Sequence, residues 1–180
     1  MWMAPICLVS EAAEFAAHRH SGLVRKGRAD EPYINHLAEV ANLLAKVTGG
    51  RDAELIAIGW LHDSIEDTAT TQKELAQKFS ERVASVVAEV TDDMNLPKST
   101  RRQLQIADAP AKSPSAKLLK IADKISNIRA RIHSEPTADE RADLTDYVDW
   151  AEKVVAGCRG GNAALDQIFD DTVKLARSSL

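Results

Sequence analysis

The feature of this sequence that most constrains its fold is an apolar segment, 55–61 (LIAIGWL), that ends abruptly in charged residues. A helix that is apolar on every side has to be buried, so the segment predicts a central helix of an α-helical domain. The chemically active side chains that follow it are His62, Asp63, Glu66 and Asp67. On a continuous helix they share one sector of about 140°. The sequence therefore predicts three carboxylates and an imidazole at one end of a buried helix.

Carboxylates crowded at a buried helix end are hard to ionise, because desolvation and like charge both raise their pKa. A divalent cation removes this difficulty. The adjacent His62 and Asp63 can both bind one metal ion, whereas Glu66, one turn further on, can accept a proton from water. Taken alone, the segment is also explained as the charged end of an ordinary helix.

Two further segments add residues of the ligand type. His36 opens the preceding predicted helix, and Asp123 stands in the apolar helical run 118–123, where an unpaired carboxylate would be costly. A single buried histidine is usually only hydrogen-bonded, and a single helical aspartate is often a cap or an ion-pair partner. The three segments together favour a metal site. Its predicted ligands are His36, His62, Asp63 and Asp123.

Helical patterns dominate the whole sequence, and no segment alternates apolar and polar residues as a strand does. We therefore expect an all-α fold, a single compact multi-helix domain over residues 1–180. Capping boxes at Thr71 with Glu74 and at Thr137 with Glu140 predict two helix starts. The predicted helices are 5–20, 34–48, 52–66, 71–79, 81–92, 98–108, 115–131, 138–157 and 161–177.

The charge is distributed unevenly along the chain. The formal net charge of −4 argues against a general nucleic-acid binder. Residues 97–131 nevertheless hold nine basic residues and two acids, whereas 132–171 hold ten acids and three basic residues. Most of these charges are expected on solvated helix faces. A basic segment around the single Asp123 also suits a compact polyanionic substrate, because a cleft focuses the field.

Cysteine content and hydropathy indicate a cytoplasmic protein. Cys7 and Cys158 form no metal-type pair, as is typical of a reducing compartment. The apolar start, 1–9, lacks a basic leader, and no later stretch reaches the length of a membrane span. We therefore expect a small-molecule partner and neither a membrane nor a nucleic-acid partner.

The order His36, His62-Asp63, Asp123 resembles the H…HD…D signature of the HD superfamily of metal-dependent phosphohydrolases. Longer motifs resemble the hydrolase domain of RelA/SpoT-type proteins and, above all, the stand-alone small alarmone hydrolases, including the animal form. These motifs are PYINH (32–36), HDSIEDT (62–68), EVTDD (89–93) and IADKISNIR (121–129). The resemblance covers nearly the whole chain. It implies one HD-type helical domain without the synthetase domain of the bifunctional relatives.

The resemblance also implies a reaction. The four ligands would hold one divalent ion, usually Mn²⁺, and Glu66 and Asp67 would form the catalytic acidic pair. The implied reaction is hydrolysis of ppGpp or pppGpp, which releases pyrophosphate from the ribose 3′ position and leaves GDP or GTP. We expect the metal to lower the pKa of water, Glu66 to accept the proton, and Asp67 to orient the water or the scissile phosphate.

Several residues are candidates for substrate binding. Arg25 and Lys26 match the family's basic pair at the guanine pocket, where a guanidinium can stack on the base. Tyr33 either packs beside the nucleoside or closes the start of its helix. Asn127 lies on the helix face of Asp123 and, by resemblance, contacts the sugar or the base. The phosphate candidates, from charge and position, are Lys98, Arg102 and Arg129.

Two alternatives remain open. The animal-type relatives are also associated with removal of the 2′ phosphate of NADPH, so the same metal could serve another nucleotide. The other alternative is a regulatory domain that binds an alarmone without turnover, and the presence of both Glu66 and Asp67 argues against it. The segment Arg129-Ala130-Arg131 lacks the hydroxyl residue that many long relatives carry after the arginine, which leaves the base preference open.

Overall fold

The computed structural model describes residues 4–25, 31–132 and 136–180. Within these ranges the regular elements are all helices, and the β-type pairing is an isolated antiparallel bridge between Val24 and Pro32. The all-α prediction is confirmed. The chain divides into two compact units, Met1–Met94 and Asn95–Leu180. Among the described residues, no helix is both long enough and apolar enough to cross a bilayer.

The first unit is built around the apolar segment seen in the sequence. Its helices are α1 Pro5–Arg19, α2 Ile34–Thr48, α3 Ala53–Leu61, α4 Ser64–Asp67, α5 Gln72–Lys78 and α6 Glu81–Val90. Helix α3 packs against α1, α2 and α6. Its apolar side chains from Leu55 to Leu61 are almost completely buried, except that of Trp60, which is half-buried. The predicted central helix is therefore confirmed.

The start of α3 is fixed by a cap and an ion pair. A carboxylate oxygen of Asp52 accepts a hydrogen bond from the Leu55 amide at 3.0 Å, which satisfies one of the free amides of the first turn. Arg82, in the first turn of α6, donates to both carboxylate oxygens of Asp52, at 2.9 and 2.7 Å. These contacts attach the start of α3 to α6, while the other end of α3 leads into His62.

Helices α2 and α3 approach each other closely at Gly59. A Cβ atom on Gly59 would lie 2.7 Å from the Cα of Ala41 and 3.0 Å from its backbone nitrogen. Because these are backbone atoms of α2, they can give way only if the helix moves. The missing side chain of Gly59 therefore sets the spacing between α2, which carries His36, and α3, which leads to His62.

The prediction of one helix over 52–66 is wrong at the residues that matter most, because the helix breaks at His62 and Asp63. The backbone of Asp63 has φ −95° and ψ 1°, and α4 begins only at Ser64. Nδ1 of His62 lies 2.9 Å from the carbonyl oxygen of Gly59. In a continuous helix that carbonyl would accept from the amide of Asp63, so the imidazole competes with the helix. The single sector expected on a continuous helix is therefore also wrong.

The other predicted helices agree with the structure to within a few residues. The capping box at Thr137 is complete, because the hydroxyl accepts from the Glu140 amide and the Glu140 carboxylate accepts from the Thr137 amide. The box predicted at Thr71 is only half formed. Its hydroxyl accepts from the Glu74 amide at 3.2 Å, but the Glu74 carboxylate accepts from Arg19 of α1 instead.

The second unit is a group of longer helices. They are α7 Lys98–Asp108, α8 Pro114–Arg129, α9 Ala138–Ala156 and α10 Ala163–Ser178, with a 3₁₀ turn over Ala109–Ala111. Helix α8 packs against α9 and α10, and α7 packs against α9. Two basic residues of α8, Lys120 and Lys124, are buried. These two residues are exceptions to the solvated helix faces expected for most charges of this segment.

We expect Gly59→Ala to lower the free energy of unfolding by roughly 1–3 kcal/mol, because the new methyl group overpacks a backbone contact. This loss from overpacking should exceed the stabilisation of about 1 kcal/mol that the higher helix propensity of alanine provides. Chemical denaturation measures it. Gly161→Ala is the matched control, since its Cβ would meet the Leu118 side chain at an ordinary 3.5 Å. Equal stability of wild type and Gly59→Ala would contradict the close approach.

Candidate active site

The break after α3 brings together three of the four predicted metal ligands. Nε2 of His62 lies 3.1 Å, and Nε2 of His36 lies 3.5 Å, from Oδ2 of Asp63. The two imidazole centroids are 5.2 Å apart, and their potential ligand atoms lie within 4.8 Å of each other. Both rings are buried, with 2% of His36 and 5% of His62 exposed. The first unit thus gathers two imidazoles around one carboxylate.

The hydrogen bond of His62 determines which ring nitrogen faces Asp63. The Gly59 carbonyl oxygen can only accept, so Nδ1 of His62 carries the proton that it donates. In a neutral ring the lone pair then belongs to Nε2, which faces the carboxylate oxygen at 3.1 Å. Two lone pairs at this distance repel unless a proton on Nε2 or a metal cation lies between them. The donor set therefore fits a divalent metal ion, and a carbonyl partner is usual for a metal-binding histidine.

Asp63 is placed to remain ionised. Burial alone would raise the pKa of its carboxyl group, but the positive charge of protonated His62 and His36 and the hydrogen bonds from their rings outweigh burial and hold the pKa well below its ordinary value. The hydroxyl of Tyr33 donates a hydrogen bond to Oδ2 of Asp63 at 2.6 Å. Neither of the two roles predicted for Tyr33 included this contact.

Glu66 lies in the short helix α4 and is half-buried. Burial raises the pKa of its carboxyl group, the amide of Asp92 partly offsets this by donating to Oε2 at 3.2 Å, and nearby carboxylates raise it further. A raised pKa suits a group that accepts a proton near neutral pH. The sequence motif 89–93 gave no indication that Asp92 holds Glu66. Asp67, the other member of the predicted acidic pair, is exposed.

Asp123 belongs to the second unit, where it lies within α8 and is largely buried. Nζ of Lys124 donates to Oδ2 at 2.7 Å, and the side-chain amide of Asn127 donates to Oδ1 at 2.6 Å. Lys124 is only 3% exposed, and its ammonium lies 4.5 Å from the ring centroid of Trp150. Lys124 was predicted only as part of a basic segment, although its position next to an aspartate in an apolar helical run was a usable signal. The role of Asp123 as the fourth ligand stays a prediction.

Arg25 is more buried than a residue of an open base pocket would be. Only 7% of it is exposed, and its guanidinium lies 3.4 Å from Glu31 and 4.0 Å from Glu39. Its Nη2 also lies 3.3 Å from Nδ1 of His36. A guanidinium only donates, so this contact uses the Nδ1 lone pair, whereas a cation on Nε2 requires the ring proton on Nδ1. Metal loading is therefore expected to part Arg25 from His36. Lys26 lies outside the described residues.

The three phosphate candidates lie in the second unit and differ in their surroundings. Arg102 donates to Asp146 at 2.6 Å, and its guanidinium lies 4.8 Å from the ring of Trp150. Lys98, the first residue of α7, is exposed, and Arg129, the last residue of α8, is half-buried. Their binding of phosphate stays a prediction.

Known proteins are similar in sequence to this chain over nearly its full length. The HD domain family matches residues 12–148. The guanosine-3′,5′-bis(diphosphate) 3′-pyrophosphohydrolase MESH1 of Mus musculus is 42% identical over 165 residues, which are 89% of this chain and 92% of the mouse protein. The Drosophila melanogaster protein of the same name is 35% identical over 167 residues, 93% of each chain.

A solved structure also matches the fold. It is described as "A metazoan ortholog of SpoT hydrolyzes ppGpp and plays a role in starvation responses", and it covers 100% of this chain and 99% of its own, with a TM-score of 0.86 and 32% sequence identity. The buried histidines, the carboxylate between them and these matches lead to one assignment. The chain belongs to the HD domain family and, within it, to the family of MESH1-type guanosine-3′,5′-bis(diphosphate) 3′-pyrophosphohydrolases.

Proposed function

We propose that this protein is a ppGpp hydrolase that releases pyrophosphate from the ribose 3′ position of ppGpp or pppGpp and leaves GDP or GTP. The observation that carries the proposal is the cluster of His36, His62 and Asp63, with Glu66 one turn beyond. The relatives that share nearly the whole chain are named for this reaction. Together they favour hydrolysis over alarmone binding alone.

We further propose Asp123 as the fourth ligand and Mn²⁺ as the ion. Support comes from the H…HD…D order and from the donor chemistry, two imidazoles and two carboxylates, which suits Mn, Fe, Zn or Mg. Four protein ligands leave room for water and a phosphate oxygen only if coordination exceeds four, and this favours an octahedral ion such as Mn²⁺. When bound, the ion would supply Lewis acidity toward water and phosphate.

Two carboxylates of the chain would accept the proton of the attacking water and orient the reactants. Glu66 is held by the Asp92 amide and accepts the proton of the attacking water, which its raised pKa favours. Asp67, exposed at the end of α4, orients the water or the scissile phosphate. The water oxygen bonds to the phosphorus next to the ribose while the bond from that phosphorus to the 3′ oxygen breaks. The 3′ oxygen then takes up a proton, and pyrophosphate leaves.

Substrate contacts are proposed from charge and resemblance. Basic residues would balance the phosphates, and Asn127 would contact the sugar or the base in addition to its bond with Asp123. The phosphate candidates are Lys98, Arg102 and Arg129, whereas Arg25 and Lys26 are candidates for the guanine pocket. We also propose a single HD domain over residues 1–180, supported by a family match that includes helices of both units. A cytoplasmic location is supported by the free thiols of Cys7 and Cys158.

The proposed reaction predicts a defined set of products. Protein stripped of metal with a chelator is incubated with ppGpp, with and without Mn²⁺, and the nucleotides are separated by anion-exchange chromatography. GDP and pyrophosphate in equal amounts are expected only when Mn²⁺ is present. A parallel incubation with NADPH tests the other nucleotide. Release of phosphate from NADPH, with ppGpp left intact, would replace the proposed substrate, and binding of ppGpp without products would support a regulatory domain.

Glu66→Gln should keep Mn²⁺ bound while kcat falls roughly 10²- to 10⁴-fold, because the amide cannot accept the proton. Bound manganese is measured by atomic absorption, and kcat by release of pyrophosphate. Glu81→Gln, an identical change at an exposed residue in the first turn of α6, is the matched control and should leave kcat unchanged. Wild-type kcat in Glu66→Gln would show that Glu66 is not the proton acceptor.

A further inference from the structure

We infer that Tyr33 is a positioning residue of the metal centre, and that its hydroxyl group holds the Asp63 carboxylate in place for the cation. This role differs from a contact with the nucleoside. The inference rests on the proposed function, since it requires that His36, His62 and Asp63 bind the metal ion.

The hydroxyl of Tyr33 addresses the oxygen atom at the middle of the cluster. It donates to Oδ2 of Asp63 at 2.6 Å, within the range of a charge-assisted hydrogen bond between a hydroxyl and a carboxylate. The same Oδ2 atom lies 3.1 Å from Nε2 of His62 and 3.5 Å from Nε2 of His36. A donor on this oxygen restricts rotation of the carboxylate and so keeps Oδ2 facing both imidazoles.

Tyr33 is itself held on several sides. Its amide donates to the Leu23 carbonyl at 2.9 Å, and its own carbonyl accepts from the His36 amide at 3.0 Å. Its ring stacks on the ring of His20, with centroids 5.5 Å apart and planes 13° apart, and meets the ring of His36 at 66°. His20 is buried, and its Nδ1 bonds to the carbonyl of Ala16 in α1. A rigid series of contacts therefore runs from α1 through His20 and Tyr33 to Asp63.

These contacts favour positioning over nucleoside binding. His20 covers one face of the Tyr33 ring, the ring of His36 meets it at 66°, and the hydroxyl of Tyr33 already donates to Asp63. Groups that orient a metal ligand by a hydrogen bond typically contribute roughly 10- to 100-fold to metal affinity. His20 matches no position of the ligand pattern, and its role in this assignment is to support the ring of Tyr33 by stacking.

Tyr33→Phe tests the inference, because it removes the hydroxyl and keeps the ring that stacks on His20. The affinity of metal-free protein for Mn²⁺ is measured from the electron paramagnetic resonance signal of free Mn²⁺. We expect binding roughly 10- to 100-fold weaker than in wild type. Excess Mn²⁺ should restore most of kcat, with KM for ppGpp near the wild-type value.

Thr48→Val is the matched control at the last residue of α2, the helix that Tyr33 directly precedes. It removes a hydroxyl that donates to the Leu44 carbonyl at 2.8 Å, at the far end of α2 and about 20 Å along the helix axis. Its Mn²⁺ affinity should equal that of wild type. Circular dichroism and the melting temperature of the metal-free proteins verify folding, and the rise in melting temperature on adding Mn²⁺ should be smaller for Tyr33→Phe than for wild type.

The outcomes separate the inference from the proposed function. Unchanged Mn²⁺ affinity in Tyr33→Phe overturns the inference, and a raised KM with unchanged Mn²⁺ affinity overturns it in favour of a nucleoside contact. Both results would leave the wild-type enzyme active, so the proposed function would stand. If wild-type protein neither binds Mn²⁺ nor hydrolyses ppGpp, the proposed function itself fails and the inference fails with it.

Discussion

The hydrogen bond from His62 to the Gly59 carbonyl is the interaction on which the candidate site depends. It takes the place of a helical hydrogen bond, so α3 ends at Leu61, and it turns the lone pair of Nε2 toward Asp63. Gly59 contributes a second time, because the absence of a Cβ allows α2 to come close enough to bring His36 to the same carboxylate. One glycine thus fixes both the orientation of His62 and the distance to His36.

A second regularity is that the buried carboxylates proposed for catalysis and metal binding are each held by a donor. Tyr33 holds Asp63 and the Asp92 amide holds Glu66 in the first unit, while Lys124 and Asn127 hold Asp123 in the second. Since an unpaired buried carboxylate is costly, these donors stabilise the charged forms and limit rotation of the side chains. The carboxylates are therefore oriented by the protein itself.

The sequence predicted the fold class, most helix bounds and the meeting of His36, His62 and Asp63, because apolar periodicity reports burial directly and the motifs are specific. It did not predict the break at Asp63, since competition between an imidazole and a backbone amide for one carbonyl leaves no trace in periodicity. The burial of Arg25 and Lys124 was also missed. Arg25 is buried beside His36, which only the folded chain brings into contact with it, whereas Lys124 directly follows Asp123 in the sequence and their ion pair could have been predicted.

The central claim is that His36, His62, Asp63 and Asp123 hold one divalent ion. It is tested most directly by anomalous diffraction at the manganese absorption edge from crystals of the protein grown with Mn²⁺. We expect one strong anomalous peak with ligand atoms at roughly 2.0–2.3 Å from His36, from Nε2 of His62, from Asp63 and from Asp123. Arg25 should then have left Nδ1 of His36. No anomalous peak at these side chains, or a peak bound by other residues, would contradict the account.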